Sequence, residues 1–330
     1  MLKRVIIFLS ISFLLINCAG TNAVLAQPSN NNQSNNTQPK YIIIPESPQP
    51  GEPVTIASVT AIKDAQLIIN DKQAAKAQAF LVPAENGQPS FTAALLTVPS
   101  TAEPGDALIK LNNELGVFLE IPFTIAPREF RSETITLTPS LTSLVSDPNP
   151  RRTAESERLW QILITNGTQV YHADKFVLPV TSTRRTSLFG TRRINAYSDG
   201  RRVTSIHAGV DFGIPTGTEV RACGRGKVIL SRDRILTGNS VIIEHAPGIY
   251  SIYYHLDSLI AKENTIVEAG SVIGLSGSTG FSTGPHLHWE LRVSTENTDP
   301  DAFANRPLID KEQIISKIYN NNIQAIRLHE

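Results

Sequence analysis

The sequence runs to 330 residues, with 41% hydrophobic and 6% aromatic residues, enough for two packed domains and too apolar for a disordered chain. Thirty Lys and Arg balance thirty Asp and Glu, so the chain lacks the basic field that a nucleic-acid partner requires. Two cysteines, Cys18 and Cys223, exclude a disulfide framework and a cysteine-rich metal site.

Residues 1–17 start with Lys3 and Arg4 and continue as an apolar run from Val5 to Ile16. A basic start followed by an apolar stretch too short to span a bilayer reads as an export signal. Two processing routes fit. Leu15-Ile16-Asn17-Cys18 is similar to a bacterial lipobox, which would make Cys18 the lipidated first residue of an envelope-anchored lipoprotein. Val24-Leu25-Ala26 would instead suit ordinary signal peptidase and release a soluble periplasmic protein from Gln27. Any membrane attachment thus runs through a lipid on Cys18. The rest of 18–40, rich in Asn and Gln and nearly free of apolar residues, cannot bury a core and reads as a flexible tether.

From 41 to 127 short apolar runs alternate with turn signals such as Pro50-Gly51, Asn70-Asp71, Asn86-Gly87 and Asn112-Asn113. About seven short strands at near-regular spacing predict an Ig-like β-sandwich. It holds no histidine and no cysteine, so it reads as a spacer or binding module, not needed for chemistry carried downstream. Residues 128–179 form a connector in which Asn149-Pro150 supplies an N-cap and first helical residue for a helix to about Leu163. Asp310 caps a second helix in the C-terminal segment 307–330. The whole is predicted to be mainly β, with short helices only in the connector and at the C-terminus.

Between 180 and 306 lie β-rich runs at 219–222, 227–231, 240–244, 250–254, 271–275 and 287–293, separated by glycines, which predict an antiparallel, folded or barrel-like sheet. Three histidine segments fall among them: His207-Ala-Gly-Val-Asp211, Tyr254-His255-Leu256 and Pro285-His286-Leu287-His288-Trp289-Glu290. Residues two apart on a strand share a face, so His286 and His288 point the same way. Two imidazoles with the carboxylate of Asp211 make three legs of a tetrahedral zinc site whose fourth position is open, the mark of a catalytic ion. His255, and whichever of His286 and His288 is not a ligand, then remain to move protons, because no HExxH helix supplies a carboxylate base. His245 ends an apolar strand and reads as structural; Glu290 stands where it could orient a zinc-binding imidazole.

These segments resemble the M23 family of zinc metallopeptidases, of the lysostaphin or LytM type. The likeness covers residues ~180–305 through Phe189-Gly190-Thr-Arg192-Arg193, the His207 and His255 segments, Ser276-Gly277-Ser278-Thr279-Gly280 and Gly284-Pro285-His286-Leu287-His288. It implies that His207, Asp211 and His288 bind Zn2+ and that His255 and His286 are the catalytic pair. It implies an endopeptidase acting on stem peptides of peptidoglycan in the cell envelope. Degenerate members of the family are inactive wall-binding activators of other hydrolases; here every metal and catalytic position is filled.

Two further features carry weaker signals. Gly280-Phe-Ser282-Thr-Gly284 fits the spacing of a serine nucleophile elbow, with His329 as base, but Pro285 and a strand follow it where a helix is required. Six arginines fall between 184 and 202, either as a solvated stretch or as an attractor for stem-peptide carboxylates.

Overall fold

The computed structural model describes residues 41–320 except 86, 304 and 305. The export segment, Cys18, the tether and His329 lie outside the described residues, as does the chain beyond 320.

Eight strands come first: β1 (Tyr41–Ile44), β2 (Pro53–Ser58), β3 (Asp64–Ile69), β4 (Lys72–Gln78), β5 (Phe80–Val82), β6 (Phe91–Thr97), β7 (Gly105–Asn113) and β8 (Gly116–Ile125). They form two four-stranded antiparallel sheets, ordered β1-β2-β6-β5 and β4-β3-β7-β8. The strand that the sequence pattern did not announce is β4, whose inward residues Ala75 and Ala77 are too small to give a readable apolar alternation.

The first sheet is buried on both faces. Along β6, Ala94 and Leu96 pack into the sandwich with Val54, Ile56 and Leu67. The alternate residues Phe91, Ala93 and Leu95 join a second core with Phe189, Phe212 and Trp289 from the C-terminal half. A period-2 strand with apolar residues on both sides requires a cover on each. The sandwich is therefore packed onto the histidine-bearing part of the chain.

The connector holds β9 (Ser132–Thr136), α1 (Pro139–Ser146) and α2 (Pro150–Ile164). Asn149 caps α2 as expected, its side chain accepting from the Arg151 N–H at 3.0 Å. Ile162 and Leu163 of α2 are buried against Leu230, Ile242, Tyr250 and Ile252. Each such side chain is worth about 1.5–3 kcal/mol when fully buried.

There follow β10 (Arg185–Ser187), β11 (Arg192–Ala196), β12 (Arg202–Ile206), β13 (Val210–Phe212), β14 (Glu219–Arg221), β15 (Gly226–Arg232), β16 (Asn239–Ala246) and β17 (Ile249–Leu259). The last strands are β18 (Ile266–Val267), β19 (Val272–Ser276), β20 (Leu287–Val293) and β21 (Glu296–Thr298). Ten of these make one antiparallel sheet whose main path is β10-β13-β20-β17-β16-β15-β18. The remaining two pair with the connector as β12-β11-β9, where β9 runs parallel to β11. A short helix α3 (Pro300–Phe303) precedes α4 (Lys311–Ile315), which Asp310 caps through the Gln313 N–H at 2.9 Å and which ends in a π-helical turn, Ser316–Asn320. No helix among the described residues is long and apolar enough to cross a membrane.

Candidate active site

The register of the large sheet brings the first cluster together. Asp211 on β13 is the cross-strand partner of His288 on β20, and Tyr254 on β17 flanks His288 on the other side. His207 comes from the turn between β12 and β13. All three titratable groups are buried. His207 Nε2 stands 3.1 Å from Asp211 Oδ1 and 3.0 Å from His288 Nδ1, and His288 Nδ1 stands 2.8 Å from the same carboxylate oxygen.

The outer nitrogens decide what these atoms can do. His207 Nδ1 lies 2.9 Å from the Leu188 carbonyl, and His288 Nε2 lies 3.0 Å from Glu290 Oε1. Both partners are acceptors, so each imidazole in its neutral form carries its proton on the outer side and presents a lone pair inward. In that form two nitrogen lone pairs and a carboxylate oxygen converge on one point, where a cation takes the place of the second proton that His288 otherwise holds against Asp211. A tetrahedral ion ~2.0–2.1 Å from each would hold such atoms ~3.3–3.4 Å apart, close to the spacing seen. The donor set thus fits zinc. Its appetite for positive charge also shows in the protonation of the site. Burial opposes a charged His288, yet contacts with Asp211 and Glu290 outweigh it and raise its pKa to about 9. Burial likewise opposes a charged Asp211, but the imidazoles of His207 and His288 hold its carboxyl well below the usual range.

An outer layer orients these groups. Glu290 also accepts from Arg292 Nε and Asn297 Nδ2, each at 3.0 Å. Arg193 on β11 donates through Nη2 to Asp211 Oδ2 at 2.8 Å and to Ser187 Oγ at 2.9 Å, and through Nε to Glu133 Oε1 at 2.6 Å. Glu133 is the cross-strand partner of Arg193 in the parallel β9–β11 pair. Sequence reasoning gave neither residue this role: Arg193 stands there in the run of arginines and in the Phe189–Arg193 segment of the likeness, and Glu133 lies 60 residues upstream.

His255 and His286 form a second pair beside the first, with ring centroids 4.8 Å apart. The His255 ring centroid lies 6.2 Å from that of His288, and His286 Nε2 lies 3.8 Å from Asp211 Oδ1. Each donates its Nδ1 proton to a backbone carbonyl, His255 to Thr279 at 2.7 Å and His286 to Gly284 at 2.8 Å, which leaves Nε2 free. His255 has φ +62°, a left-handed conformation that costs a non-glycine residue about 1–2 kcal/mol. Its N–H bond to Thr237 O at 2.9 Å helps hold it there. Gly238, at φ +61°, packs directly on Thr279, so that no Cβ fits between them, and this contact delivers the Thr279 carbonyl to His255. Burial, reinforced by the neighbouring imidazoles of His286 and His288, pushes the His255 pKa down to about 3. Tyr254 stacks on His288 at 5.5 Å.

The remaining candidates fall elsewhere. His245 is fully buried away from the cleft, between the Arg225 carbonyl at 2.9 Å and Ser251 Oγ at 2.7 Å. Ser282 Oγ donates to its own loop at Gly284 O, 2.8 Å away, and the loop leads into β20 where a nucleophile elbow needs a helix.

Comparison with known proteins agrees with this geometry. Residues 205–300 match the profile of Peptidase family M23. A DD-carboxypeptidase/endopeptidase of Neisseria meningitidis, Mpg, is 39% identical over 126 residues, which cover 38% of this chain and 28% of that protein. The peptidoglycan DD-endopeptidase ShyA of Vibrio cholerae is 42% identical over 107 residues, covering 31% of this chain and 25% of ShyA. The chain thus spans about a quarter of the length of these relatives. A crystal structure of an M23 peptidase candidate from Pseudomonas aeruginosa shares the fold over 78% of this chain and 94% of its own, with a TM-score of 0.56 at 22% identity. The segment that carries the paired histidines, residues 205–300, is thus the part of the chain that matches peptidase family M23.

Proposed function

We propose that this chain is a zinc-dependent endopeptidase that hydrolyses peptide cross-links of peptidoglycan in the cell envelope. One observation carries the reading: one nitrogen each from His207 and His288 and a carboxylate oxygen of Asp211 converge beside two further imidazoles whose Nε2 atoms are free. The matched relatives are named for peptidoglycan cleavage, which supplies the substrate class. The export signal and Cys18 lipobox in the sequence support an envelope location with a lipid anchor.

His207, Asp211 and His288 would hold the zinc ion, which when bound polarises the scissile carbonyl and acidifies a water. His255 stays neutral at neutral pH, so its Nε2 is an acceptor for a proton. His286 offers a second Nε2 on the same side as Asp211. One Nε2 takes the proton released by the attacking water, and the imidazole protonated in this way can then donate it to the developing oxyanion or the leaving amine, the pair of roles that amide hydrolysis needs. Glu290 and Arg193 fix the orientation of His288 and Asp211 from outside.

The test is a zymogram on purified cell wall. Clearing that a chelator abolishes and zinc restores is expected. Wall binding without chelator-sensitive clearing would instead identify an inactive activator.

A further inference from the structure

The cleft extends from the histidine centre into two arms of unlike chemistry. One arm is apolar, with Val145, Val203, Ile206 and Phe281 around Tyr254. The other, a cavity of about 530 Å³ that reaches Asp211 and His286, is polar and is lined by Thr186, Gly213 and Arg184.

Four of the six arginines between 184 and 202 are committed elsewhere. Arg185 pairs with Asp301 at 2.7 Å and lies over the Phe212 ring, and Arg192 donates to Ser100 O at 2.6 Å. Arg201 pairs with Asp199 at 2.7 Å, and the charge of Arg193 is met by Glu133 and Asp211. Among the described residues no carboxylate pairs with Arg184 or Arg202, and of these two only Arg184 lines the polar arm. Its guanidinium lies against Gly213, two residues beyond Asp211: a Cβ there would stand 2.6 Å from Thr186 Cγ2 and 2.8 Å from Arg184 Nη1.

An exposed planar guanidinium beside the histidine centre, with no carboxylate partner among the described residues, matches the fork geometry of a carboxylate. We propose that Arg184 binds a free carboxylate of the peptide substrate and seats the residue that bears it in the polar arm. The inference rests on the peptidase reading above. It makes the chain selective for peptides that carry this carboxylate over peptides in which it is amidated.

The experiment uses two soluble cross-linked stem peptides, identical except that one carries the carboxylate free and the other as its amide. Binding to the full chain is measured by calorimetry for the wild type, Arg184→Gln and Arg184→Lys, with zinc content recorded. The wild type is expected to bind the free acid about 10- to 100-fold more tightly, the worth of a charge-assisted hydrogen bond. Arg184→Gln should remove that preference and leave amide binding and zinc content unchanged, while Arg184→Lys retains part of it. Equal wild-type affinity for the two peptides, or a preference that survives in Arg184→Gln, would overturn the proposal. Binding reads the carboxylate site whether or not the bond is cut. Product formation in the same samples reports separately on the peptidase reading.

Discussion

The Arg193 guanidinium stands 2.8 Å from the outer oxygen of Asp211, and the inner oxygen of the same carboxylate faces His207 and His288. One donor thereby fixes which edge of the carboxylate is available to an ion. Replacing Arg193 with Leu would leave Asp211 free to rotate and Glu133 without its partner. A loss of zinc affinity of about 10- to 100-fold is expected, as for other groups that orient a metal ligand. Arg193→Lys should recover little, because an ammonium cannot reach Ser187, Asp211 and Glu133 with the same fork. Competition against a zinc chelator measures both, and unchanged affinity in Arg193→Leu would remove the residue from this role.

His255→Ala and His286→Ala separate proton transfer from ion binding. Neither side chain belongs to the group of ion-facing atoms formed by His207, Asp211 and His288. Zinc content is expected to stay near that of the wild type in both, with cleavage reduced about 10²–10⁴-fold, the usual worth of positioned proton transfer. Elemental analysis and a cleavage assay read the two quantities independently. Wild-type turnover in His255→Ala would make its left-handed backbone a structural feature only.

Much of this site was legible because its signals are local. The alternation that puts His286 and His288 on one face, the Asn149-Pro150 cap and the apolar strands from 226 to 293 all lie within short windows. What stayed hidden is long-range or carried by backbone. The β9 strand reads Ser-Glu-Thr-Ile-Thr with three of its five residues exposed, and its pairing with β11 spans 60 residues. The carbonyls of Leu188 and Thr279, which set the tautomers of His207 and His255, are backbone groups of the kind that every residue carries. No residue type could have announced them.

Acid should destabilise the fold through His245. Burial disfavours its charged form and pushes its pKa down to about 3 in the folded chain, below the ordinary 6.5. The unfolded chain therefore takes up the proton first as pH falls, so this contribution to stability is complete above pH 6.5 and is lost progressively towards pH 3. The slope should reach about 1.4 kcal/mol per pH unit for this one group. His245→Gln, which keeps a polar side chain between Arg225 O and Ser251 but cannot titrate, is expected to flatten the dependence by about one proton. Urea midpoints from pH 4 to 7 check it, and an unchanged slope in the variant would assign the acid sensitivity elsewhere.

Cutting the chain back to Val180 tests whether the M23-matching part stands alone. The cut removes Glu133, which anchors Arg193 from β9, and the α2 residues Ile162 and Leu163, which cover Leu230, Ile242 and Tyr250. It also removes the β6 residues Phe91 and Leu95, which share a core with Trp289 and Phe212. Losing one large buried side chain typically costs 2–5 kcal/mol, and total stabilities of domains are about 5–15 kcal/mol. Loss of these covers together should therefore exceed what the remaining sheet can sustain. A fragment of residues 180–320 is expected to melt without cooperativity and to bind zinc weakly, whereas the chain from Tyr41 melts cooperatively. Ile162→Ala in the full chain isolates one of these contacts, with an expected loss of ~2–5 kcal/mol in urea unfolding. A fragment that melts cooperatively at the same temperature with full zinc content would show that the upstream half contributes no support to the site.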